Sequence, residues 1–149
     1  MLRRIQLALA IVLGLFLFQH GVVAHPERQT DPKISDNAWI KGWYNSDNET
    51  YFQNQLPNIP VTWDNLGQDK NGNLIMGDTA ESTPDNVVIS IRLDRYTNVT
   101  AGETIMTLRH EECHVKVDPS LPADADPHGA EFQSCMISLA EAGAFKGWW

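Results

Sequence analysis

Basic side chains are scarce in this sequence. Only 11 Lys and Arg face 19 Asp and Glu in 149 residues, giving a formal charge of −8. An acidic surface repels phosphate backbones and anionic lipid, so nucleic acid is excluded as an expected partner. Internal repeats and low-complexity tracts are missing too. With 42% hydrophobic residues, the chain is expected to bury one core in one domain without separate modules. A long apolar run is also missing. The best stretch, about residues 7–18, is short for a bilayer span and is broken by Gln19-His20-Gly21. No cysteine follows it, so a bacterial lipid anchor is unsupported.

What that stretch does build is a secretory signal. Arg3 and Arg4 precede the apolar run, and small residues lead to Val22-Val23-Ala24. Residues 1–24 are therefore expected to be a signal peptide cleaved after Ala24, leaving a secreted or periplasmic protein with no stable membrane association. Its loss removes two Arg and no acid, which moves the formal charge from −8 to −10. The two cysteines, Cys113 and Cys135, would then reside in an oxidising compartment, where a disulfide between them is the default.

Residues 25–35 are polar with two prolines and read as a flexible leader to a domain over 36–149. Apolar residues at Trp39, Ile40, Trp43, Tyr44, Tyr51 and Phe52 predict a helix within 36–55, with a polar patch that allows a break near Ser46. Strands are expected at 59–63, confined to a sheet edge by Pro60, at 74–76, and at 86–94. In the last, Val87, Ile89, Ile91 and Leu93 alternate with polar or smaller residues, predicting one buried face. Thr100 and Glu103 form a capping box that opens a helix ending near Val117, before Asp118-Pro119. Asp126 and Pro127 are expected to start a last helix striped by Phe132, Met136, Leu139 and Ala140. The predicted class is α+β, a small domain with an N-terminal helix, a short and mostly antiparallel sheet, a motif helix and one further helix.

The motif is His110-Glu111-Glu112-Cys113-His114, well inside a helix whose start is signalled independently. Histidines four apart project from one helix face, so both imidazoles can reach one cation at about 2.0 to 2.1 Å. Glu111 lies about 100° round the helix, beside the metal, where it can hold and deprotonate a metal-bound water. A catalytic zinc needs a third protein ligand, and His128 is the available histidine, with 13 residues between it and His114, on the far side of a loop. Asp124, Asp126 or Glu131 could take that place instead. Asp118, Asp124 and Asp126 are available to accept from the second ring nitrogens. Cys113 and Cys135 fall near the facing sides of the two helices, so their disulfide would pin the hairpin that builds the site.

These residues resemble the SprT-like zinc metallopeptidases, whose core pairs HExxH with a later His-Gly-x-x-Phe string, here His128-Gly129-Ala130-Glu131-Phe132. The resemblance spans roughly residues 39–145, and only the two metal segments are specific. It implies a small zincin-like domain in which His110, His114 and His128 bind Zn2+ and Glu111 is the general base. Intracellular relatives that act on DNA-bound proteins carry a later zinc ribbon and basic tails, absent here, so a DNA-repair role is not carried over.

The expected activity is an exported zinc-dependent peptidase acting on a protein or peptide substrate held beside an edge strand. Two rivals are a metal-dependent amidase or cell-wall peptide hydrolase, and a non-catalytic secreted domain with structural zinc. Tyr96 and Arg92 are both candidates to stabilise an oxyanion, with no spacing that favours either. Asn48 and Asn98 fit glycosylation triplets, and the five tryptophans are read as packing residues.

Overall fold

A computed structural model describes residues 36–82, 87–122 and 124–148 of the protein. The expected signal peptide, the leader and Trp149 lie outside these residues. Asp36 caps helix α1 (Asn37–Thr50) by accepting from the Ala38 amide at 2.8 Å. The helix runs unbroken past Ser46 and buries Ile40, Tyr44 and Asp47. It ends where Gln53 and Asn54 turn into the left-handed region, and the Asn48 side chain bonds both the amide and the carbonyl of Leu56. The first glycosylation triplet is thus a structural clamp on the returning chain.

Strand β1 (Val61–Asp64) lies at a sheet edge, as Pro60 requires. The next strand, β2 (Gly77–Ser82), begins just after the expected 74–76 segment. Leu74 makes only an isolated bridge to Gln68, because residues 67–75 close a small loop on Gly67 and Gly72, both with positive φ. Strand β3 (Val87–Asp94) is central, parallel to β1 and antiparallel to β2, in the order β1-β3-β2. The sheet is therefore mixed, and only its β2 side is antiparallel.

The alternation expected in β3 fails at its start. Ala80 pairs with Ser90 but Glu81 pairs with Val88, leaving Ile89 as an extra residue in a bulge. The bulge inverts the phase, so Val88 is buried while Val87 and Ile89 are exposed; beyond it Ile91 and Leu93 point inward as expected.

Helix α2 (Ala101–Val117) starts at the expected capping box, with the Glu103 amide 3.2 Å from Thr100 Oγ1 and the Thr100 amide 2.9 Å from Glu103 Oε2. It crosses the centre of the molecule against β2, β3, α1 and α3. Arg109, on its buried side, grips Asp47 of α1 with two bonds of 2.8 Å and also donates to the Ala144 carbonyl. A 3-10 turn (Asp118–Ser120) follows, and α3 (Ala130–Glu141) closes the order. The Cys113–Cys135 disulfide ties α2 to α3 with Cα atoms 5.8 Å apart. Trp43 packs edge-on against Trp39 and Trp148, and Trp63 is buried, in keeping with a packing role. No described helix is long and apolar enough to cross a membrane.

Candidate metal centre

The helical spacing of His110 and His114 brings their Nε2 atoms to 3.3 Å. His128 arrives from the other side. It sits in a turn two residues ahead of α3 rather than inside it, and Gly129, not Asp126, is the N-cap residue. Asp126 orders that turn instead, its Oδ1 accepting from the His128 amide and its carbonyl accepting from the Gly129 amide, both at 2.9 Å. A Cβ on Gly129 would stand 3.0 Å from that carbonyl, so the tight turn favours glycine. The result places His128 Nε2 at 3.2 Å from each of the other two Nε2 atoms.

Three ring nitrogens this close form a nearly equilateral triangle. Metal–nitrogen distances of about 2.0 to 2.1 Å in tetrahedral geometry separate the donors by roughly 3.3 to 3.4 Å. The triangle fits one face of such a tetrahedron. Among the described residues these three histidines form a group able to hold a metal ion, and neither Asp124, Asp126, Glu131 nor any other carboxylate joins it.

The surroundings orient the rings. The Asp118 carboxylate accepts from His114 Nδ1 at 3.0 Å, which leaves the Nε2 lone pair directed into the triangle. Of the three aspartates named from the sequence, Asp118 is therefore the one that serves. Glu81 of β2 packs on Asp118, and burial followed by that contact pushes the Glu81 carboxyl above its ordinary range. The buried Phe132 ring lies 4.7, 4.5 and 4.8 Å from the rings of His110, His114 and His128. The sequence placed Phe132 in an apolar stripe and in the His-Gly-x-x-Phe string without giving it a role; it is the shared floor of all three imidazoles. Burial first, and then the neighbouring rings, lower His110 to about 4. Burial and His128 lower His114 to about 4 as well. Both rings are thus neutral near pH 7 and free to ligate.

Glu111 is buried and shares with His110 the wall of an adjoining cavity. Burial, and then the charges of Asp78 and Asp118, push its carboxyl up to about 8. The start of β2 presses against it. A Cβ on Gly77 would come within 2.4 Å of Glu111 Oε1 and 2.7 Å of Thr107 Cγ2, so only glycine lets the strand approach this closely. Nothing in the sequence pointed to Gly77.

No family model, curated protein or solved structure matches this chain. Arg92 is engaged by Asp78 and, at 3.6 Å, by Asp64, while Tyr96 is exposed. Asn98 is buried, and its amide donates to the Met76 and Asp94 carbonyls at 2.8 Å, so its glycosylation triplet is structural. Glu112, next in the motif, turns into the core, where both its oxygens lack a partner and burial raises its carboxyl well above the ordinary range.

Proposed function

We propose that the protein is an exported zinc metallopeptidase of the kind it resembles, an SprT-like enzyme, with Glu111 as general base. The observation that carries this reading is the 3.2–3.3 Å triangle of Nε2 atoms with a buried carboxyl beside it. His110, His114 and His128 would hold the ion, leaving one position open to solvent or substrate. Zinc there supplies Lewis-acid polarisation of a carbonyl and acidifies a water. Glu111 takes the proton from the attacking water and passes it to the leaving amine. Asp118 and Phe132 keep the imidazoles aimed, and Gly77 sets how closely β2 stands to Glu111. Among the described residues β2 is an edge strand of the sheet, and its outer main-chain groups can hold an extended peptide. The disulfide supports residence outside the cytoplasm.

Metal content and peptide hydrolysis measured together test the reading. Glu111→Gln is expected to keep zinc and lose hydrolysis, while His114→Ala loses both. Full activity in Glu111→Gln would refute the mechanism. Cell-wall fragments assayed beside proteins separate a wall hydrolase from a general peptidase, and absence of zinc at the site would overturn both.

A further inference from the structure

A cavity of about 540 Å3 opens directly beside the metal triangle, with His110 and Glu111 in its wall. Its other walls come from the start of β2, the first turns of α2, and the end of α3 with the segment after it. Their chemistry is one-sided. Met76, Met106 and Met136, three of the four methionines in the chain, line it together with Ile75, Ala140 and Phe145. The one charged residue in the lining besides Glu111 is Glu103, whose carboxylate is held in the capping box by the Val99 and Thr100 amides. Away from the end where Glu111 stands, the cavity thus presents no free charge to a ligand, and thioether walls accommodate apolar shapes of differing outline.

We infer that this cavity is the specificity subsite of the enzyme, receiving a large apolar side chain, leucine, methionine or phenylalanine, next to the bond that is cut. The inference rests on the peptidase reading for its substrate but on the cavity alone for its ligand chemistry. Continuity with the site supplies the geometry. A backbone laid along β2 passes Gly77, which touches both Glu111 and the cavity wall, so a side chain directed inward from that point enters the methionine-lined space. A basic side chain would be stripped of water there among thioether and aliphatic walls, with the Glu103 carboxylate already held by the Val99 and Thr100 amides.

Two measurements test this separately. In the metal-free protein labelled at the methionine methyls, titration with N-acetyl-phenylalanine amide or N-acetyl-leucine amide is expected to shift Met76, Met106 and Met136. N-acetyl-lysine amide and N-acetyl-glutamate amide should leave them in place. No shift, or equal shifts with the charged amides, overturns the subsite. With zinc bound, digestion of a mixed peptide library is expected to enrich apolar residues at one position beside the cut. Ala140→Trp, which fills the cavity from its exposed side, should reduce that preference at least tenfold at unchanged zinc content. Met76→Glu, on a half-exposed wall residue that tolerates charge, should turn the preference toward lysine and arginine. Cleavage without side-chain preference, or preference unmoved by both variants, refutes the inference. If wild type cuts nothing, the peptidase reading falls and the methyl titration alone decides whether the cavity binds apolar side chains.

Discussion

The contact between Gly77 and Glu111 can be probed with a single methyl group. In Gly77→Ala the new Cβ meets Glu111 Oε1 at 2.4 Å, whereas ordinary contact begins at 3.4 Å, so one partner has to retreat by about 1 Å. Thr107 Cγ2, at 2.7 Å on a stiff β-branched side chain, blocks the Cβ from yielding in that direction. Glu111 has the more flexible side chain and takes most of the displacement. A general base moved by about 1 Å costs roughly 100-fold in kcat, while the crowding itself costs on the order of 1 to 3 kcal/mol of stability. Zinc content should be unchanged, since no ligand moves. The assay is kcat on a peptide substrate, with bound zinc and the urea midpoint measured on the same preparation. Adding Thr107→Ser removes the blocking methyl, keeps the hydroxyl that bonds Asn98 at 2.6 Å, and should recover part of both losses. A Gly77→Ala protein with unaltered kcat and midpoint would refute the packing argument. Recovery absent in the double variant would show that Thr107 is not the obstacle.

Further outcomes follow from the same geometry. Asp118→Asn removes the anionic acceptor from His114 Nδ1 and is expected to weaken zinc binding by about 10- to 100-fold, read by competition with a chelating dye. Replacing both Cys113 and Cys135 by serine opens a loop with a sequence separation of 22 and should cost about 3 kcal/mol in urea unfolding, along with zinc affinity, because α3 would no longer be tied to α2 beside His128. The metal-free protein carries a pH signature. The folded pKa of Glu111, about 8, lies above its ordinary 4.5, so its contribution is intact below 4.5 and is lost as pH rises through 8. Metal-free Glu111→Gln should therefore gain on metal-free wild type by on the order of 4 kcal/mol between pH 4.5 and pH 8. Parallel pH dependences of the two midpoints would contradict the raised pKa.

Some parts of this site are local in sequence, and they were readable there. The pair His110 and His114 is a matter of helical pitch. The start of α2 is settled within four residues, Thr100 and Glu103 completing each other's bonds before any tertiary contact is made. The α+β class, the edge position of β1 and the pairing of Cys113 with Cys135 likewise follow from periodicity, from a proline, and from two helices obliged to face each other.

Other parts depend on residues far apart meeting, and no window of sequence contains them. The bulge at Ile89 exists only because β3 pairs with β2, and it reversed an alternation that looked regular. Arg109 finds Asp47 across 62 positions, and Glu112 is enclosed with no hydrogen-bond partner for its carboxyl. Asp118 could be separated from Asp124 and Asp126 only once the ring of His114 was aimed. The sequence by itself determined that His110 and His114 share one helix face, because side chains at helical spacing project together. The tertiary structure alone decided that the three rings converge to 3.2–3.3 Å, that Phe132 lies beneath them and that Gly77 abuts Glu111. Those distances are set by how α2, α3 and β2 pack together, and packing is a property of surfaces that meet only after folding.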